Sequence, residues 1–286
     1  MIRVFARKTK WTPTDDLAFY KSPPFFVRDW KRSELVLVSA TFTWDIEAAY
    51  SLARAWSLHF DNVQVGGPAF GDPGGEFVPG RFVKKGVTFS SRGCPKRCPW
   101  CLVPQREGKI RELQIQPGYI VQDNNLLACS RGHIEKVFEM LAQQPMPASF
   151  PGGLDLDFLE EWHVGRLRDL RKVHRLGTMF VAFDTEKSLD KLPKAKELLG
   201  GFNIGGRFAY VLIGFEGDTL ERAESRLERV YDAENGFLPF AMLFDGNKDN
   251  PTWKRLQRKW CRPAAYRSKK TEKQQCWPSG QEGLFK

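Results

Sequence analysis

The sequence lacks any apolar run near the ~18 residues that a membrane span needs. Its first residues, Met1-Ile2-Arg3-Val4-Phe5-Ala6-Arg7-Lys8, hold no long apolar stretch ahead of a small-residue cleavage site. Both absences predict a soluble, cytoplasmic chain with no membrane partner. Cysteine is scarce, 6 in 286 residues, too few for a disulfide scaffold. In a reducing compartment those thiols point instead to metal binding or catalysis. Internal repeats are absent. An excess of acid is absent too: Lys and Arg number 44 against 34 Asp and Glu, a net +10. With 42% hydrophobic and 27% charged residues, composition excludes disorder as the dominant state.

The positive charge is uneven. Residues 251–286 hold ten Lys and Arg against Glu272 and Glu282, or 10 − 2 = +8. A second basic block spans 81–115, with nine Lys and Arg against two Glu. Such surfaces suit acidic partners: nucleic acid, an anionic small molecule or an acidic protein. A solvated tail that aids solubility explains the same charge. Trp253, Trp260, Tyr266 and Trp277 lie among the tail cations, placed to stack on bases or to pack on the rest of the protein.

Hydrophobic periodicity predicts a strand at 35–39, a helix over 45–60 and a strand from Asn62 into Gly66-Gly67. Strand, helix, strand at that spacing is a parallel βαβ unit, with Ile2–Phe5 as an added edge strand. A glycine- and proline-rich loop over 66–80 marks a domain boundary. Six further strands are expected, at 86–90, 119–122, 148–150, 178–183, 208–214 and 238–244, with helices between most of them. Ser130 and Asp218 read as helix caps, and Gly200-Gly201 and Gly236 as helix stops. Six alternations are too few for an eight-stranded barrel. They fit a partial (β/α)6 TIM-like barrel in an α/β chain. The expected domains are therefore 1–80, 81–250 and a basic extension, 251–286.

One motif carries chemistry: Cys94-Pro95-Lys96-Arg97-Cys98-Pro99-Trp100-Cys101. Three thiols within eight residues, spaced C-x3-C-x2-C, favour zinc or an iron–sulfur cluster. A structural zinc wants a fourth ligand, and the loop offers none, since Cys129 and His133 are distant in sequence. A 4Fe–4S cluster held by three cysteines leaves one iron open. Zinc and unligated thiols stay as alternatives. Cys129, Cys261 and Cys276 read as isolated thiols. His59, His133, His163 and His174 lie in helical patterns and read as surface or capping residues.

The motif, with an aromatic residue before its third cysteine, resembles that of the radical S-adenosylmethionine superfamily over about 86–250. The resemblance implies a 4Fe–4S cluster on Cys94, Cys98 and Cys101. The open iron would chelate S-adenosylmethionine, and its reductive cleavage would give a 5′-deoxyadenosyl radical that abstracts hydrogen from a substrate the sequence does not name. It further implies cofactor contacts at Trp100, at Gly152, Gly153 and Asp155 of a glycine-rich segment, at Asp184, and at Gly214 and Glu216 of an adenine-side turn. Asp155 departs from the Glu more usual in that segment. Asn124 and Asn125 point toward the same mouth. No catalytic residue is assigned. An acidic electron donor, a flavodoxin or ferredoxin, is the implied partner. The N-terminal unit resembles the Rossmann-like domain of the cobalamin-binding branch through Val63-Gln64-Val65-Gly66-Gly67-Pro68, yet lacks an Asp-x-His-x-x-Gly segment. Cobalamin is therefore a candidate cofactor without a protein ligand. The competing class is a non-catalytic iron–sulfur or zinc protein that binds nucleic acid through its basic segments.

Overall fold

A computed structural model describes residues 1–262 apart from 25–26, 28–29, 72–75 and 233–235. Tyr266, Cys276, Trp277 and the remaining cations of 263–286 lie outside the described residues. The described residues form two compact units, Met1–Arg97 with Cys101–Ser149 and Lys172–Arg175, and Cys98–Trp100 with Phe150–Arg171 and the chain from Leu176 onward. Parallel strands and helices make both of them α/β.

In the first unit, β1 (Ile2–Phe5), β2 (Ala18–Phe19), β3 (Leu35–Ser39), α1 (Ile46–Ser57) and β4 (Asn62–Gly66) form a parallel sheet of order β2-β1-β3-β4. β1 is not the expected edge strand: it pairs on both sides, and all four of its residues are buried. Burial of Arg3 is tolerated because its guanidinium bonds the Gly80 and Arg81 carbonyls at 2.9 Å each and pairs with Asp15. Trp56 of α1 anchors the core with Val36, Val38 and Phe60, its indole N–H donating to the Lys21 carbonyl at 3.0 Å.

The same unit continues through β5 (Val87–Thr88), β6 (Ser91–Arg92), α2 (Val103–Arg106), β7 (Arg111–Glu112), β8 (Ile120–Val121), α3 (Arg131–Ala142) and, as far as Ser149, β9 (Ala148–Phe150). β5, β8 and β9 run parallel, while β6 and β7 form an antiparallel pair that the alternation pattern did not reveal. Ser130 caps α3 as expected, accepting from the His133 N–H, and Ile134, Val137, Phe138 and Leu141 bury its apolar stripe.

The second unit holds α4 (Glu161–Lys172), β10 (Leu176–Ala182), α5 (Leu192–Leu199), β11 (Arg207–Ile213), α6 (Leu220–Tyr231), β12 (Leu238–Leu243) and α7 (Pro251–Trp260). β10, β11 and β12 are parallel neighbours. β11 alternates strictly, with Arg207, Ala209, Val211 and Ile213 buried. Helices α6 and α7 pack against β12, and α6 also against β11. The other face of these strands is aromatic: Phe180 stacks on Phe208 and Tyr210 at 4.9 and 4.7 Å, and Tyr210 meets Phe240 edge-on. All six strands expected beyond residue 86 thus form, although β5 and β8 are only two residues long each. Among the described residues, no helix is long and apolar enough to cross a membrane.

Candidate functional site

The three motif cysteines sit in a loop between β6 and α2. Two backbone requirements shape its start. Gly93 has φ +87, and a Cβ there would stand 2.2 Å from the Lys109 carbonyl oxygen, so only glycine fits. The β6–β7 pair, with Ser91 opposite Glu112 and Arg92 opposite Arg111, closes the excursion at its base. The Cys94 N–H then donates to the Gly108 carbonyl at 3.2 Å.

The two asparagines after β8 hold this entry. Asn124 Oδ1 accepts from the Gly93 N–H at 3.0 Å, and Asn125 Nδ2 donates to Cys94 Sγ at 3.5 Å. An amide donor on sulfur stabilises a thiolate, which is the ligand form of cysteine. Cys94, Cys98 and Cys101 are all half-buried and free of disulfides. As a donor set they suit a soft metal. No group of three His, Cys, Asp or Glu side chains is gathered as a metal site among the described residues.

Behind the loop lies a buried group that the sequence did not single out. The Asp123 carboxylate accepts from Ser90 N–H at 2.7 Å, Ser90 Oγ–H at 2.5 Å and Ser91 Oγ–H at 2.8 Å. Burial pushes its pKa up, and those serine donors oppose the shift. His133 Nε2 lies 2.9 Å from the Ser90 carbonyl oxygen, and the side chain is buried, not surface-exposed as its helical position suggested. Cys129 is a half-buried thiol whose pKa burial raises to about 11, against a hydrogen bond with Ser91. Asp123 bonds residues 32 and 33 positions upstream, a pairing that no local motif encodes.

In the second unit the remaining expected site residues collect at the C-terminal ends of strands. Trp100 packs edge-on against Phe215 with ring centroids 5.5 Å apart, and Phe215 packs on Phe244 at 5.0 Å. That sets the motif tryptophan beside the turn of Gly214 and Glu216. Gly214 is buried, and its carbonyl accepts from Asn247 Nδ2 at 2.6 Å, whereas Glu216 is exposed. The Pro151-Gly152-Gly153 turn is held on neighbouring strands: Tyr210 Oη donates to the Pro151 carbonyl at 2.9 Å, and the Leu154 N–H to the Phe180 carbonyl at 2.7 Å. A Cβ on Gly153 would find its nearest neighbour, the Phe180 carbonyl oxygen, 3.9 Å away. The glycine therefore leaves open space that a bulky side chain would fill. Burial raises the Tyr210 hydroxyl to about 12, so the group stays a donor throughout the physiological range.

The carboxylates have structural duties. Asp184 Oδ1 accepts from the Leu212 N–H at 3.1 Å and ties the end of β10 to β11. Asp155 Oδ1 accepts from the Asp157 N–H at 3.1 Å in a local turn. Asp218 does not cap α6 as expected. Thr219 does, accepting from the Arg222 N–H. Asp218 instead accepts from the Gly214 N–H and from both terminal nitrogens of buried Arg226, at 2.9, 3.0 and 2.7 Å. His163 is also a correction: it is buried, and its Nδ1 accepts from the Glu160 N–H at 3.1 Å. His174 lies past the end of α4 with φ +56. In the basic extension Trp253, Leu256 and Trp260 are buried along one face of α7, which withdraws both tryptophans from stacking on bases.

No family model matches the sequence, and no curated protein does. Among solved structures, the chain is similar to a cobalamin-dependent S-adenosylmethionine radical enzyme, OxsB, with aqua-cobalamin and S-adenosylmethionine bound. The TM-score is 0.43 and the identity 11%, over 85% of this chain and 49% of that one. The chain thus spans about half the length of that structure.

Proposed function

We propose that the chain is a radical S-adenosylmethionine enzyme whose partial barrel carries a 4Fe–4S cluster on Cys94, Cys98 and Cys101. The observation that carries this reading is the loop itself. Its three half-buried thiols follow a glycine-forced turn, its first sulfur accepts a hydrogen bond from Asn125, and its Trp100 packs beside the Gly214–Glu216 turn. When bound, such a cluster supplies one electron to the sulfonium of the cofactor and so opens radical hydrogen abstraction. This chain's own residues bind and orient: the space over Gly153 admits the methionine part, Trp100 and Phe215 flank the Gly214 turn, and Asp184 stands at the end of β10. The aromatic face of β10, β11 and β12 offers a wall against which a substrate lies.

Anaerobic reconstitution is expected to give about four irons and four sulfides per chain. With reductant and cofactor, 5′-deoxyadenosine is expected as the product. Loss of any of the three cysteines should abolish both. One tightly bound zinc without sulfide, in protein purified anaerobically from iron-replete cells, would refute the reading. Gly153→Ala and Gly153→Leu share the same backbone strain, yet only the leucine fills the open space. The leucine variant should lose cofactor affinity at unchanged iron content while the alanine variant keeps more of it.

Cobalamin is not part of this reading. The Gly66-Gly67-Pro68 turn packs onto the end of β3, with Ala40 N–H donating to the Gly66 carbonyl and Ala69 N–H to the Ala40 carbonyl, at 3.1 and 3.0 Å. Retention of one equivalent of hydroxocobalamin through gel filtration would overturn that choice and indicate methyl transfer.

A further inference from the structure

The first sheet has order β2-β1-β3-β4 with every pair parallel, so the chain leaves β1 to one side and returns to the other. Loops that follow β1 and β3 therefore diverge, and a crevice opens between them at the strands' C-terminal ends. Such switch points are where open α/β sheets bind ligands. A cavity of about 220 Å³ lies there within the first unit. It is formed by Phe5 at the end of β1, Ser39 at the end of β3, the residues just beyond them, and Phe89 and Gln122 beyond β5 and β8.

Its walls have two characters. Phe5, Phe42 and Phe89 make it largely apolar. Ser39, Thr41 and Gln122 bring two hydroxyls and a carboxamide to its lining. A few convergent polar groups in an aromatic cavity are the usual make-up of a small-molecule site. No acidic side chain lines it among the described residues. Arg7 does, and its guanidinium is fixed: Nε and Nη2 donate to the two oxygens of buried Asp45 at 2.8 and 2.7 Å. Trp11, also in the wall, carries Lys10 and Lys84 over its ring at 4.9 and 5.0 Å, so cations gather on that side.

Size and chemistry narrow the ligand. A cavity of about 150 Å³ admits one benzene ring. The larger volume here suits two fused rings, with any sugar left outside at the mouth. A planar carboxamide pairs with a ring that presents donor and acceptor side by side. The nearby cations suit an anionic substituent at the mouth.

We propose that this cavity binds a bicyclic heteroaromatic ring with a lactam edge and an anionic substituent, the chemistry shared by purine nucleotides and pterin carboxylates. The site uses none of the residues assigned to the cofactor, so either reading survives failure of the other.

The test titrates the full chain with fluorescent 6-carboxypterin and, separately, with guanosine 5′-monophosphate. At least one is expected to saturate at one per chain with Kd below about 0.1 mM. The one that binds more tightly identifies the source. Gln122→Leu, of similar volume, should weaken it about tenfold, the loss expected when one buried hydrogen bond partner is removed. 2-Naphthoate, with rings and charge but no lactam edge, should bind at least about tenfold more weakly than the better probe. Unchanged circular dichroism and urea-unfolding midpoint in Gln122→Leu would show that the variant folds. No saturation by either probe up to about 1 mM would overturn the proposal. Binding indifferent to Gln122→Leu, or matched by 2-naphthoate, would overturn it as well.

Discussion

Cysteine identity says little until each thiol's surroundings are known. Cys94 receives an amide hydrogen bond from Asn125, whereas burial holds the Cys129 proton on up to about 11. At pH 8 that leaves Cys129 with roughly two orders of magnitude less thiolate than an ordinary thiol of pKa ~8.5. Iodoacetamide labelling followed by peptide mass spectrometry should therefore find Cys129 at least about tenfold slower than Cys261 in the folded protein. Equal rates would contradict the buried placement. Gly93 shows what a sequence reveals and what it hides. That a glycine precedes the motif suggests a turn, but only the fold shows the Lys109 carbonyl oxygen 2.2 Å from a would-be Cβ. Gly93→Ala should cost at least about 2 kcal/mol, from the left-handed backbone plus the clash, measured by urea unfolding. It should also lower iron content, because the strain falls at the entry to the cysteine loop. The cysteines themselves were legible because they are contiguous. The Ser90, Ser91 and Asp123 network was not, since its members come together only when β5, β6 and β8 are in place.

At the level of elements, long periodic segments read well and short ones did not. α1, α3 and α6 form where helices were expected because each buries one face over about three turns, which leaves a 3.6-residue signal, although Tyr50 on that side of α1 is exposed. β2, β6 and β7 have two residues each, too few for any alternation to register. The cap of α6 was misplaced by one residue because Asp218 and Thr219 are both good capping types, and buried Arg226 claims the aspartate. β7 and α3 are joined by an interaction that sequence spacing conceals: Glu112 Oε1 accepts from the Ser130 N–H at 2.6 Å, just where Ser130 caps the helix. Hydrogen bonds from Ser130, and then the charges of His133 and Lys136, hold the Glu112 carboxyl below its ordinary 4.5. A carboxyl with a lowered folded-state pKa stabilises the protein above its unfolded value and loses that contribution as pH falls through the folded one. Wild type should thus exceed Glu112→Gln in thermal midpoint at pH 6, and the gap should close between the ordinary glutamate pKa and more acid pH. A gap that is constant from pH 6 to about 3 would mean the interaction is not ionic.

Over the whole molecule, charge decides which partners approach. The net +10 is not spread evenly, and part of the basic block at 81–115 is already committed inside the fold. Arg92 and Arg111 share Glu107 at 3.8 and 3.6 Å, and Lys84 lies over Trp11. Arg97, Arg106 and Lys109 are exposed, and all three lie on the excursion that carries the cysteines. On α7, Lys259 is paired with Glu224 and Lys254 with Asp249, and the helix's aromatic face is buried, which leaves Arg255 and Arg258 exposed. Exposed cations close in the chain to the proposed cluster fit an acidic electron donor better than cations on a packed helix do. Steering by unlike surface charges acts on the association rate and weakens as salt screens it, over a Debye length of about 10 Å at 0.1 M. Reduction by an acidic flavodoxin should therefore slow steeply between low and physiological ionic strength. Reversal of Arg97, Arg106 and Lys109 to glutamate should slow it at least about tenfold at low salt and flatten that dependence. Dithionite, a small reductant that needs no docking surface, should reduce wild type and variant alike, which separates lost docking from a damaged cluster. Flavodoxin-driven rates that ignore both salt and the three reversals would place the donor's contact elsewhere on the molecule.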